Sequence, residues 1–342
     1  MATATGRGAG TDMAADTVLI TGGGGFLGRA VAERCLARGW RVRATGRTPR
    51  PDLAGAGVDF VPGDIADPAH ARTVARGCAA VFHVAAKAGV WGPAADYERA
   101  NVGGTRAVVE ACLAEGVPHL VHTSTPSVVF DGGPFRGADE SLPYGSGWLC
   151  HYARTKAEAE RLALAADGPR LRVTALRPHL IWGPGDPHLF PRLLARARAG
   201  RLRIVGDGAN RVDVTHVATA ADAHLGALDA LRAGRAGGRP YFVSQGEPVL
   251  LWDFVNRLLR GAGLPEVRRR VPLRAAYAAG ALLEGAWALL RLGGEPPMTR
   301  FVATELAKDH WFDVGAARRD LGLRPAVDTW EALDRLAASL RA

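Results

Sequence analysis

A short apolar run, TVLI at residues 17–20, feeds directly into TGGGGFLG at 21–28, and an amphipathic segment follows at once. No other stretch restricts the fold as much. An apolar run of this length reads as a buried strand. The segment after the glycines sets Ala30, Val31, Cys35 and Leu36 on one helical face and ends near Gly39. A second strand, 41–45, comes next, completing a strand–helix–strand unit with glycines at its first corner. Gly22 permits the tight turn, Gly25 lets the backbone approach a pyrophosphate at the helix N-terminus, and Gly28 lets helix lie close on strand. With Phe26 and Leu27 these are the candidate phosphate-binding residues. Their Gly-x-x-Gly-x-x-Gly spacing differs by one residue from the dehydrogenase fingerprint.

The rhythm repeats. Strands are expected at 58–61, 79–84, 119–123 and 172–176, with helices between them that include 97–115 and the segment from 151. Such alternation predicts an α/β fold, a doubly wound parallel Rossmann sheet. Ligands of these sheets lie beyond the carboxyl ends of the strands, where GDI at 63–65 and the pair Ala85 and Ala86 stand. The pattern loosens after Gly183, at Pro184-Gly185-Asp186-Pro187. The dinucleotide-binding part is expected over 16–182, with a segment returning near 210–245; a smaller, mainly helical substrate lobe takes 183–209 and 246–342. Residues 1–15 read as a disordered tail without the apolar core of a signal peptide.

NAD-type sites place a carboxylate at the end of the second strand, for the ribose 2′-hydroxyl. Here that strand ends Arg43-Ala44-Thr45-Gly46-Arg47, with no acid. Arg47, assisted by Arg43, would bond a 2′-phosphate and favour NADPH/NADP over NAD; the other reading of both arginines is solvated surface. Asp64 either accepts from an adenine amino group, with Ile65 against the ring, or caps a helix.

Tyr152-Ala153-Arg154-Thr155-Lys156 carries chemistry of another kind, and Lys156 is one of only three lysines. Positions i and i+4 of a helix share a face. A free phenol titrates near 10, and a fixed ammonium beside it favours the phenolate; a drop of about three units equals about 4 kcal/mol. A tyrosine so poised exchanges a proton with a substrate oxygen near neutral pH.

The net charge is +9, yet all but three of the 43 basic residues are arginine, scattered apart from Arg268-Arg269-Arg270, so no nucleic-acid interface is expected. Cys35, Cys78, Cys112 and Cys150 are widely spaced and read as buried thiols of a reducing, cytoplasmic compartment. The ten histidines show no metal-ligand spacing, and no metal is expected. No uncharged apolar stretch reaches 18 residues, so no spanning helix is expected. Residues 273–292 are nonetheless apolar nearly all round: they cover a lipid channel, lie on a membrane surface, or form an ordinary buried helix. Lys87, Trp91 and Trp182 are candidate substrate-side residues, although tryptophans also fill cores.

Taken in order, TGGGGFLG, GDI (63–65), FHVAA (82–86), NVGGT (101–105), HTSTPSVV (122–129), YARTK (152–156), LRPHLIWGPGD (176–186) and GDGANRVDVTHV (206–217) resemble the extended short-chain dehydrogenase/reductase family. The resemblance implies that Tyr152 is the general acid/base and that Lys156 lowers its pKa and holds the nicotinamide ribose. It aligns Thr125 with the third catalytic hydroxyl, where the family usually has serine, with Ser124 as the neighbouring alternative. It puts Asn101 on a water or backbone at the site, and Pro178 and Leu180 beside the nicotinamide carboxamide. HVAAKAGVWGP (83–93), FVSQGEP (242–248) and GEPPMTRF (294–301) are similar to the bacterial 2-alkyl-3-oxoalkanoate reductases of long-chain olefin synthesis, in the 3β-hydroxysteroid dehydrogenase-like branch. That likeness implies NADPH-dependent reduction of the 3-keto group of a long-chain, lipid-like 2-alkyl-3-oxoalkanoic acid. It also suggests a homodimer through helices 97–115 and 151–166, with peripheral membrane contact or partner biosynthetic enzymes. Competing readings are a 3β-hydroxysteroid or sterol dehydrogenase, a nucleotide-sugar epimerase or dehydratase, and a non-catalytic NADP-binding protein.

Overall fold

The computed structural model describes residues 16–341; the expected tail at 1–15 lies outside them. Seven parallel strands form the main sheet. In space they run Arg239–Val243, Arg172–Pro178, His119–Thr123, Ala80–His83, Thr17–Thr21, Arg41–Gly46, Val58–Pro62. The chain therefore starts mid-sheet, winds out to one edge, crosses back past its first strand and winds out to the other. The reversal between Thr17–Thr21 and Ala80–His83 leaves a crevice at their carboxyl ends.

A parallel sheet needs cover on both faces. One face carries the helices Phe26–Ala37 and Val217–Arg232; the other carries Pro68–Ala75, Gly104–Glu115 and His151–Ala165. Gly315–Leu321 departs from the expected division of the chain. It returns from the second lobe and buries Ala317, Leu321 and Leu323 against the first face. In the opposite sense, Phe135–Ala138 leaves the first half to pair with His310–Phe312 in a four-stranded second sheet. Helices Leu189–Arg198, Leu251–Gly261 and Thr329–Ser339 enclose a second core around Trp182, Phe190, Phe254 and Leu333.

The helix expected at 97–115 is interrupted. A π turn, Glu98–Gly103, joins Ala94–Tyr97 to Gly104–Glu115. Such turns bulge one residue outward and are frequent at functional sites.

Arg177, on the strand Arg172–Pro178, meets Glu160 of the helix His151–Ala165 at 2.6 Å, with side chains 2% and 0% exposed. Tyr144 donates to Glu160 Oε1 at 2.9 Å, and the Phe242 ring lies 5.1 Å from the guanidinium. Burying two charges is costly, and the pair is tolerated through several hydrogen bonds in good geometry. Replacing Glu160 by Gln should destabilise the fold by about 3–5 kcal/mol in denaturant titrations, because Arg177 stays charged and buried. Pairing it with Arg177→Met should recover much of that loss. A Glu160→Gln midpoint equal to the parent's would contradict this account.

Candidate active site

The glycine turn fits a dinucleotide. Gly22 has φ +68°, and a Cβ on Gly28 would lie 2.2 Å from the Gly22 carbonyl oxygen, so both positions require glycine. The helix Phe26–Ala37 begins at Gly25 with no side-chain cap and no acid in its first turn. Its first amides, those of Phe26 and Leu27 included, are left to an anion. Ala85 presses on Gly22 and donates its N–H to Thr21 Oγ1 at 3.1 Å; Ala86 beside it is exposed.

Arg47 is exposed at the end of the second strand; against the upward push of burial, the Ala66 N–H and Arg99, with Arg47 contributing least, hold the Asp64 carboxyl below the usual range. Arg43 does not assist. It is tied to Asp59 at 3.0 Å and to the carbonyls of Val74 and Arg76, on the side of the sheet away from the turn's mouth. Sequence reasoning missed Arg50, which donates to the Gly24 carbonyl at 2.6 Å and sets a second cation on the glycine turn. Only the path of the loop after Arg47 reveals it. Asp64 pairs with Arg99 and accepts from Ala66 N at 3.0 Å, while Asp67 caps the next helix; Ile65 is buried beside Gly104.

Tyr152 and Lys156 lie one turn apart on His151–Ala165. Tyr152 packs against a buried cluster of Phe130, Cys150, Ala153 and Phe301, which Val90 and Leu149 also border. Thr125 caps the turn Pro126–Val129, its hydroxyl accepting from Ser127 N and donating to Ser127 Oγ, each at 3.3 Å. Ser124 Oγ is buried without a partner. Thr125 is near enough to the Tyr152 phenol to pull its pKa downward.

Burial opposes the expected shift: it pushes the Tyr152 phenol up to about 12, with the nearby Thr125 hydroxyl pulling the other way. Lys156 directs its Nζ to the Thr123 carbonyl at 2.6 Å, into the sheet. Burial pulls Lys156 itself down to about 8.

Asn101, in the π turn, accepts from Lys87 N at 2.7 Å and donates to the Lys87 carbonyl at 3.3 Å and to Thr155 Oγ1 at 3.0 Å. It thereby locks the loop after Ala80–His83 to the tyrosine's helix. Lys87 Nζ is 3.3 Å from Asp96 and 5.2 Å from the centre of the Tyr97 ring, so its charge is committed within that loop. Half-buried Trp91 offers its carbonyl to the Tyr97 hydroxyl at 3.0 Å. Pro178 is buried at a strand end, and Leu180 holds φ +41°, a strained conformation for a leucine. Trp182 stands apart from the site. It is fully buried against Phe190, Phe254 and His216 in the second core, so the expectation that it faces substrate is corrected.

Under Lys156 runs a polar string. Thr21 Oγ1 bonds His83 Nδ1 at 2.8 Å, His83 Nε2 bonds Thr105 Oγ1 at 3.0 Å, and Thr105 donates to the Asn101 carbonyl at 2.7 Å. His122 lies 5.4 Å from His83, ring to ring, with neither nitrogen partnered. His224 bonds Thr123 Oγ1 at 2.8 Å. Elsewhere, among the described residues, His179, Glu305 and His310 bring possible metal-ligand atoms within 4.8 Å of one another. Spacing along the chain does not show this group, since its members come from distant segments. His179 Nδ1 and His310 Nε2 bond the carbonyls of Asp213 and Glu305.

A model of the 3-beta hydroxysteroid dehydrogenase/isomerase family matches residues 19–273. The chain belongs to that family. It is 49% identical to a 2-alkyl-3-oxoalkanoate reductase of Stenotrophomonas maltophilia (strain K279a), over 94% of this chain and 98% of the relative. With the protein of the same description from Shewanella oneidensis it shares 46% identity, over 94% and 85%. The solved complex of MoeE5 with UDP-glucose and NAD superposes with a TM-score of 0.71 at 27% identity, over 93% and 96% of the two chains. The protein is an NAD(P)-dependent oxidoreductase of the extended short-chain type, and its relatives support ketoreductase chemistry on a small molecule. Among the described residues no helix is long and apolar enough to cross a membrane.

Burial holds His83 down to about 3 and His224 to about 4, and His122 well below the ordinary value. An unfolded histidine titrates near 6.5, so below that pH the unfolded chain takes up protons first. Stability should be fully present above about pH 6.5 and fall as pH drops toward 4. Denaturant midpoints measured from pH 7.5 to 4 check this, and His224→Gln should flatten the slope. A parent midpoint that rises on acidification would contradict it.

Proposed function

We propose that the chain reduces the 3-keto group of a long-chain 2-alkyl-3-oxoalkanoic acid to the 3-hydroxy acid with NADPH. The observation that carries this reading is the placement of Tyr152 one helical turn from Lys156, packed on a cluster whose Phe130 also lines a neighbouring cleft. The cleft has a volume of about 470 Å³; Phe130, Leu149, Leu273, Tyr277 and Ala278 give it apolar walls, and Asp131, Arg274 and Lys308 add charge; Phe130 belongs to the buried cluster on which Tyr152 packs. The names of the relatives supply the substrate class.

The dinucleotide would be held by the glycine turn, with Arg47 and Arg50 toward a 2′-phosphate and Pro178, Leu180 and Lys156 toward the nicotinamide end. When bound, the reduced nicotinamide supplies the hydride for carbonyl reduction. Residues 16–182, with the return at 210–245, serve the nucleotide; the remaining segments shape the substrate side. A phenol at about 12 is fully protonated at neutral pH. It is therefore a loaded acid, and an alkoxide is the stronger base, so the proton passes from Tyr152 to the substrate oxygen. Thr125 donates to the same oxygen and stabilises charge as it forms. A positioned acid of this kind contributes about 10²–10⁴-fold.

Tyr152→Phe should bind NADPH as the parent does and lose at least about 100-fold in kcat. NADPH consumption against long- and short-chain 2-alkyl-3-keto acids, 3-ketosteroids and sugar nucleotides tests the substrate. Equal kcat/KM when both chains are cut to methyl, or turnover confined to steroids, would overturn the reading. Arg47→Ser should lower the NADPH preference by about 10-fold, the loss of one charge-assisted bond; a parent that prefers NADH would refute the choice of coenzyme.

A further inference from the structure

The helix Leu273–Leu290 touches the protein along one narrow stripe. Only Ala276, Gly280 and Glu284 are buried, each four residues from the next. A Cβ on Gly280 would lie 2.7 Å from the Thr299 carbonyl carbon, so the helix rests directly on backbone. Glu284 accepts from both the backbone N and the Nε of Arg300, each at 2.7 Å. Leu273, Leu283, Ala286 and Trp287 flank that stripe half-buried, and most of the remaining side chains point outward. Among the described residues, the exposed large hydrophobic side chains are Tyr277 (38%), Leu282 (76%), Leu289 (83%), Leu290 (64%) and Leu292 (44%), all from this one segment. Soluble surfaces rarely gather apolar side chains in this way.

Charge narrows the occupant. From Arg268 to Gly294 the sole acid is Glu284, which is buried and paired. Over the same stretch Arg268, Arg269, Arg270, Arg274 and Arg291 are exposed. Glu266, just before the stretch, is half-buried and pairs with Arg268 at 3.7 Å; a leucine-rich surface that keeps Arg269, Arg270, Arg274 and Arg291 exposed beside it complements an apolar layer under anionic headgroups. The helix is too short and too weakly apolar to cross a bilayer. We propose that this face docks on an anionic lipid surface, with the helix lying in the headgroup plane. The cleft shares Leu273, Arg274, Tyr277 and Ala278 with the helix, so docking would bring its mouth to the lipid. The inference stands independently of the substrate reading.

Vesicle co-sedimentation of the full chain tests it, with phosphatidylcholine alone and with added phosphatidylglycerol. The parent should bind the anionic vesicles at least about tenfold more tightly, and less so as salt rises. The triple variant Leu282→Glu, Leu289→Glu, Leu290→Glu should lose binding to both, keeping its melting temperature and its turnover of a short soluble ketone. Arg268→Gln, Arg269→Gln, Arg270→Gln should lose the anionic preference alone. No binding by the parent, or undiminished binding by the leucine variant, would overturn the proposal. So would a dimer in sedimentation velocity that the leucine variant dissociates without vesicle binding, since a second copy would then own the face.

Discussion

The buried contact between Arg177 and Glu160 ties together the two elements that the chemistry needs. Arg177 lies on a strand that ends at the crevice, and Glu160 lies one turn past Lys156 on the helix that presents Tyr152. Neither charge has water to fall back on, so helix and strand hold one register or both charges are orphaned. Tyr144 and Phe242 complete the enclosure from the loop before the helix and from the edge strand. A catalytic phenol has to be held to within a fraction of an ångström, and this contact supplies the rigidity from beneath.

Local pattern made much of the fold readable. The glycine turn, the apolar strands and the Tyr152–Lys156 spacing each express a short-range rule, and the parallel sheet follows from their order. What escaped was assembled over long distances. Trp182 is indistinguishable from a cleft residue until Phe190 and Phe254 close on it. Arg43 is indistinguishable from a phosphate ligand until Asp59 claims it. The direction of the lysine's amine was hidden for the same reason: i,i+4 spacing says that two side chains share a face, not where each directs its polar end. The carbonyl of Thr123, on a neighbouring strand, decides that for Lys156.

The site's proton chemistry thus rests on burial. Lys156 sits over imidazoles kept neutral by their surroundings, and the hydrogen bonds from Thr21 through His83 and Thr105 to Asn101 leave no ionised group in that string. The region stays electrically quiet, and the amine is its one cation.

The π turn at Glu98–Gly103 holds one residue more than an α turn would. Deleting one residue there would let the helix relax into regular winding with the segments on either side keeping nearly their present phase. The loss would fall on the bulge itself, and so on the placement of Asn101 between the Lys87 backbone and Thr155. The additional residue thus serves the contacts of one side chain and not the course of the helix.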